Sequence, residues 1–224
     1  HCNLRDRKVG AAENPLPQFV RELLFPKLKR IRPMDGAIAN EANAIDYRRK
    51  AGHHLLSHVD DRKLSREPIA NLSLAGSCYM TYRNVNSHRN TAVKERKVLL
   101  KPRCLQVLTG KARYDFTHGI DNSDLLSDRR VSITMRESPL STGQPRMDLR
   151  WNMDASLPRR LGPLENVLSP TREPIPGLFV FEDFISEEDE ARILQELDKP
   201  SDQMWKSESH SGSHREKRFG MDHD

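Results

Sequence analysis

Two sets of residues in this 224-residue chain could carry chemistry, one by holding a metal and the other by holding an anion. His58-Val59-Asp60 closes the apolar stretch HLLSHVD, where strand alternation puts the imidazole and the carboxylate on one side. That spacing suits two ligands of one metal, although by itself it is a weak signal, since such triplets arise often by chance and most are surface polar residues. His118, far downstream, would complete two histidines and one carboxylate, the facial set that leaves positions open on iron(II) for a co-substrate and oxygen. Soon after it comes RVSITMR (130–136), which places Val131, Ile133 and Met135 on one side and Arg130, Ser132, Thr134 and Arg136 on the other. A face of two guanidiniums and two hydroxyls either lies in water or lines a cavity that holds an anion. The guanidinium fork suits a carboxylate.

These residues need a scaffold, and the chain offers short strands at close intervals. NAIDY, HLLSHVD, IANLSLA and CYMTYR come first, then KVLL, CLQVLTG, ARYDFTH and RVSITMR, with turn or polar residues between them. Many short strands without a long helix between them point to a sandwich or jelly roll. Pro15-Leu16-Pro17 opens a helix with apolar residues Phe19, Val20, Leu23, Leu24, Leu28 and Ile31, expected to pack outside the strands and to kink or split at Pro26. Residues 1–138 therefore read as one core. A Pro/Ser/Arg-rich linker spans 139–176, and 177–224 brings a strand, a helix from Ser186 to about Asp198, and a basic loop, KSESHSGSHREKR. Ser186 with Asp189 reads as the helix's N-capping pair.

Composition narrows the function classes without choosing one. A net charge of +5 favours a polyanionic partner such as nucleic acid but does not demand it, and a mean hydropathy of −0.75 leaves part of the chain outside any core. Cys2, Cys78 and Cys104 are odd in number and widely spaced, which suggests neither a disulfide framework nor a zinc site. A reducing, intracellular compartment, nucleus or cytoplasm, is expected. No apolar run approaches a membrane span, and the start lacks a signal-peptide pattern. His53 and His54 adjoin a glycine turn and read as exposed. Asp61 could orient His58 or cap the turn, and Trp151 and Trp205 read as packing anchors.

HVD at 58–60, LTGKARYDFTHGI at 108–120 and RVSITMR at 130–136 together resemble the AlkB family of iron(II)/2-oxoglutarate dioxygenases. The resemblance implies a mainly β fold with flanking helices, the double-stranded β-helix or jelly roll. It makes His58, Asp60 and His118 the iron ligands, Arg130 the partner of the far carboxylate of 2-oxoglutarate, and Tyr47 a hydrogen-bonding group for that co-substrate. Arg136 would lie nearer metal and substrate, and Arg215, Lys217 and Arg218 would hold a substrate backbone. The cofactors implied are Fe(II) and 2-oxoglutarate. The implied reaction is oxidative demethylation or hydroxylation of a modified nucleic-acid base, single-stranded or flipped out, with RNA ahead of DNA. Ser132 stands where the family has Asn, and Ile45 where it commonly has another Asn.

In that family, segments resembling GLFVFEDFISEEDEARILQELD and HREKRFG come before the core, whereas here they stand last. A circular permutation would bring Phe219-Gly220 beside the first residues; a fragment of tandem copies would leave 178–224 extending away. Alternative functions are a protein side-chain demethylase or hydroxylase of the same family, or a catalytically impaired binding module.

Overall fold

The structure is a computed structural model that describes residues 2–3, 8–9, 14–37, 39–62, 65, 67–85, 93–138, 167–200, 205–208 and 211–220. Strands β1 (Cys2–Asn3) and β2 (Lys8–Val9) pair with each other. The expected early helix is split: a π-helical turn, Val20–Leu24, runs into α1 (Phe25–Leu28). Pro26 falls in the first turn of α1, where the π-helical turn gives way to the α-helix, as a residue lacking an N–H requires. Val20, Leu24, Leu28 and Ile31 are buried against the sheet, as the apolar spacing requires.

Eight strands follow and make two facing sheets. They are β3 (Glu41–Arg48), β4 (His54–His58), β5 (Ile69–Ser73), β6 (Cys78–Asn84), β7 (Glu95–Leu100), β8 (Leu105–Leu108), β9 (Phe116–Ile120) and β10 (Arg129–Arg136). One sheet has the order β8-β5-β10-β3 and the other β4-β9-β6-β7, every pairing antiparallel. This is the jelly-roll arrangement expected from the strand spacing. It differs locally at ARYDFTH, where Gly110–Tyr114 form a helical turn, α2, and only Phe116–Ile120 are strand.

The C-terminal elements complete the first sheet. Within the expected linker, residues 139–166 lie outside the described residues, but Arg172–Ile175 form β11, paired with β12 (Leu178–Phe181). The alternation that makes this pairing possible is hidden in a Pro- and charge-rich sequence. β12 pairs with β8, and α3 (Glu187–Asp198) buries Ile193 and Leu197 in the same core as Val20 and Leu24. The Ser186 hydroxyl accepts from the Asp189 N–H at 3.1 Å, the cap expected for α3. β13 (Lys206–Glu208) pairs with β14 (Gly212–Gly220), which joins the two sheets by lying beside β3 along 215–220 and beside β4 at Gly212 and Ser213. Gly212, at φ +134°, has no room for a side chain there: an added Cβ would meet the His54 carbonyl oxygen at 2.4 Å. Its C-terminal end reaches the early segment, the Gly220 N–H donating to the Asn14 carbonyl at 2.9 Å.

Two cores flank the first sheet. The outer one lies between the sheet and the helices and contains Ala42, Ala44, Val131, Ile133 and Met135. The inner one lies between the sheets and contains Tyr47, Cys78, Met80, Tyr82, Phe116 and Ile120. Cys78 and Cys104 are buried free thiols, as expected. None of the described helices is long and apolar enough to cross a membrane.

On the outer face the buried Asp46 carboxylate is the hub of an ion cluster. It meets Arg48 at 3.0 Å, Arg129 at 3.5 Å, and Arg215. Arg129 in turn grips Asp198 of α3 through two bonds of 2.7 and 2.6 Å. One carboxylate thus ties β3, β10 and β14 together, and Arg129 extends the tie to α3.

Candidate metal centre

His58, Asp60 and His118 converge, with one ligand atom from each lying within 4.8 Å of the others. His58 Nε2 is 3.8 Å from one Asp60 oxygen, and His118 Nε2 is 3.6 Å from the other. A metal bound about 2.1 Å from each ligand sets adjacent ligand atoms roughly 3 Å apart, so only a small contraction is needed. The three side chains are partly open to solvent, at 32%, 17% and 12%, which leaves a route for small molecules.

Two local features aim these side chains. The first is a β-bulge. Leu55 faces Ile120 and His58 faces His118, so β4 carries one more residue than β9 over this interval. Plain alternation would turn Leu55 and His58 to opposite sides; the extra residue turns His58 inward, a device common beside active sites. The second is Gly119, on whose position an added Cβ would meet Ser57 Cα at 2.9 Å and the Leu55 carbonyl oxygen at 3.0 Å. The bulge closes over a residue without a side chain. Gly119→Ala is therefore expected to cost about 1–3 kcal/mol in stability and to weaken metal binding by pushing apart the strands that carry both histidines. A melting curve and a Mn(II) titration check this; unchanged metal affinity would be the contrary result.

His58 Nδ1 lies 2.8 Å from the Leu56 carbonyl oxygen. A carbonyl can only accept, so Nδ1 carries the proton and the Nε2 lone pair is left for a metal. His53 is likewise spoken for, its Nδ1 accepting the Arg48 N–H at 3.0 Å.

The electrostatics prepare the set for a cation. Burial would raise the Asp60 carboxyl, but His118 and His58 beside it hold it well below the usual carboxylate range. Burial pushes His118 down to about 4, against the pull of Asp60. For His58 burial also acts downward, yet the attraction of Asp60 outweighs it and the imidazole is raised. At neutral pH the metal-free site thus holds an ionised Asp60, a neutral His118, and a His58 that keeps its proton to higher pH than a free histidine. A metal must displace that proton. Affinity is expected to fall as pH drops through the raised His58 pKa, by about tenfold per pH unit below it. A Mn(II) titration between pH 5 and 8 measures this, and a flat profile would contradict it.

The opposite wall is the inner face of the first sheet. Arg130 is 1% exposed and donates to the Ser132 hydroxyl at 3.0 Å and the Ser73 hydroxyl at 3.2 Å. It sits over the Tyr47 ring at 5.5 Å, Tyr47 being its cross-strand partner. No ion pair among the described residues involves Arg130, and its Nε has no hydrogen-bond partner. A buried cation held only by neutral groups is costly unless an anion joins it. Burial raises the Tyr47 phenol, which therefore stays protonated and able to donate. Arg136, at the other end of β10, pairs with Glu41 at 2.7 Å. Ser132 and Ile45 occupy cross-strand positions of the same wall.

Sequence reasoning missed a polar chain linking the two sheets. The Tyr82 hydroxyl donates to Gln106 at 2.8 Å, the Gln106 amide to Asn71 at 3.3 Å, and the Asn71 amide to the Thr134 hydroxyl at 2.8 Å. The Tyr82 ring lies 6.0 Å from that of His118, so the chain runs from beside the metal ligands to β10. Only pairing partners could have revealed it.

The basic loop is placed differently from expectation. Arg215 and Lys217 oppose Asp46 and Ala44 on the outer face, away from the three converging residues. Arg215 joins the Asp46 cluster, and the Lys217 ammonium donates to the Leu197 carbonyl at 2.6 Å, with Trp205 beneath both. Trp205 is thus a packing anchor; Trp151 lies outside the described residues. Arg218 alone of the three shares the inner face, its Nε 2.7 Å from Glu216. The cause is register: in β14 the odd-numbered residues face outward.

Two comparisons bear on the site. Residues 8–136 match the profile of the 2OG-Fe(II) oxygenase superfamily, a span that covers more than half of the chain and includes all three converging residues and Arg130. An uncharacterised protein of Acanthamoeba polyphaga mimivirus is 27% identical over 130 residues, which make up 54% of this chain and 56% of the relative. The match therefore spans little more than half the length of that relative.

Proposed function

Since the chain belongs to the 2OG-Fe(II) oxygenase superfamily, whose members use iron(II) and 2-oxoglutarate, we propose that it is a dioxygenase of AlkB type acting on modified nucleic-acid bases. His58, Asp60 and His118 hold the iron, and Arg130 takes the far carboxylate of 2-oxoglutarate with help from Tyr47. The bound metal and co-substrate supply the oxidising chemistry. The chain's own residues do the rest. Asp60 supplies the negative charge that favours a divalent cation, and Leu56 fixes the His58 tautomer. Arg130 orients the co-substrate from the facing sheet. The inner core around Met80, Tyr82 and Phe116 keeps bulk water from the reacting end.

The observation that carries this reading is the buried Arg130 guanidinium, which lacks an acidic partner among the described residues and lies on the inner face of the first sheet, opposite the sheet whose strands carry His58 and His118. The nucleic-acid substrate is supported by the AlkB-like blocks and by the net charge of +5. Arg218 remains on the inner face as a candidate backbone contact, while the outward Arg215 and Lys217 no longer serve. The permuted order is supported by β12, α3 and β14 packing on the core of the same chain. Formaldehyde release from methylated RNA, single-stranded DNA and peptide substrates tests the substrate class. RNA is expected to lead, with DNA slower. Release from the peptide alone would overturn the nucleic-acid reading and favour a protein side-chain oxygenase.

A further inference from the structure

Asp60 lies beyond the end of β4, where no strand ladder fixes its backbone. A metal ligand must be held to within a few tenths of an ångström, so something else must hold this loop. The Arg113 side chain reaches it from α2, on the element that leads directly into β9 and His118. Its Nη1 donates to the Asp60 carbonyl at 2.8 Å. Its Nη2 donates to the Asp61 carbonyl at 3.1 Å and to Ser65 through the carbonyl at 3.4 Å and the hydroxyl at 3.3 Å. Arg113 is 1% exposed, among the largest fully buried side chains of the protein. Burying a guanidinium to bind backbone oxygens, rather than a carboxylate side chain, is an expensive way to secure a surface loop. It makes sense where position matters more than stability. A second arginine repeats the tie more weakly, Arg62 donating back to the Tyr114 carbonyl at 2.8 Å.

We propose that Arg113 is a positioning residue for the metal centre: its guanidinium clamps the Asp60–Asp61 backbone and Ser65 to α2, the element that leads into β9 and His118, setting the distance between the carboxylate and the distal imidazole. This rests on the reading of His58, Asp60 and His118 as metal ligands. The fork geometry is essential. Lysine offers a point charge that cannot reach several carbonyls along a flat fork, so it does not replace arginine here. The short helix α2, unreadable as a helix in the sequence, exists to present this side chain: the clamp needs residue 113 turned back toward the loop, which the alternation of a continuous strand into His118 would not give.

The test is a titration of the metal-free full chain with Mn(II), and of the same protein with Co(II) followed by its visible absorption. Natural chain, Arg113→Lys, Arg113→Gln and His58→Ala are compared. The natural chain is expected to bind, and His58→Ala to lose binding. The two Arg113 variants are expected to bind about 10–100-fold more weakly and to show altered Co(II) bands, a change in ligand geometry that mere destabilisation would not produce. Equal affinity and unchanged bands in folded Arg113 variants would overturn the clamp and leave the triad intact. Failure of the natural chain to bind either metal, or unaltered binding by His58→Ala, would instead overturn the triad reading itself. Should both Arg113 variants be insoluble, Ser65→Ala removes one acceptor of the clamp. Mn(II) binding weakened about threefold would then support it, and unchanged binding would overturn it.

Discussion

Replacing Arg130 with methionine is expected to weaken 2-oxoglutarate binding at least about 30-fold while leaving the metal-free protein as stable as before, or more so. The two halves of this expectation share one cause. In the metal-free protein Arg130 is a buried cation whose bonds run to two serine hydroxyls and whose Nε finds no partner. Exchanging such a charge for an apolar group of similar length is often neutral or stabilising. The cost appears only when the carboxylate arrives. Losing one partner of a buried, hydrogen-bonded charge pair costs about 2–5 kcal/mol, so affinity for 2-oxoglutarate should fall at least about 30-fold. Metal binding should be unaffected, because Arg130 is on the opposite sheet. A melting curve, a Mn(II) titration and a 2-oxoglutarate titration of the metal-loaded protein separate these outcomes. A large drop in melting temperature with co-substrate affinity preserved would make Arg130 a structural residue.

The second large effect is expected at Asp60. Asp60→Ala removes the one anion of the triad, and metal affinity should fall by more than about 100-fold, since two neutral imidazoles alone bind a hard divalent cation poorly. The same change has an electrostatic signature in the metal-free protein. His58 is held up by Asp60 against its own burial, so without the carboxylate its pKa should move down, below that of a free histidine. Nuclear magnetic resonance titration of the His58 ring reads this directly. A His58 that still titrates high in Asp60→Ala would mean that another group holds its proton, and the pH dependence of metal binding would need a different source.

How much of this was legible in the sequence depends on whether a feature is local. The alternation in RVSITMR gave both faces of β10 correctly, with Val131, Ile133 and Met135 in the outer core and Arg130 and Ser132 on the inner wall. The Ser186 cap and the apolar stripe of α3 were also readable, because capping and a 3.6-residue period are properties of neighbouring residues. Features set by pairing were not. The bulge that turns His58 inward is one residue gained against β9, and nothing in HLLSHVD marks it. The outward aim of Arg215 and Lys217 depends on which residues of β14 oppose Asp46 and Ala44, and a shift of one would have put them inside. β11 was concealed because Arg172-Glu173-Pro174-Ile175 has the composition of a linker and is strand only by virtue of β12 beside it. The first residues of ARYDFTH read as strand because they run on into FTHGI; the structure turns there instead, in α2, from which Arg113 reaches the distant Asp60 carbonyl, a contact that no neighbouring residue announces.

The most direct test of the central assignment is succinate formation. Protein reconstituted with iron(II) without oxygen is mixed with 2-oxoglutarate, oxygen is admitted, and succinate is quantified for the natural chain and for His58→Ala. Succinate from the natural chain and only background from the variant is the expected result. Equal succinate from both would show that His58, Asp60 and His118 are not the metal centre.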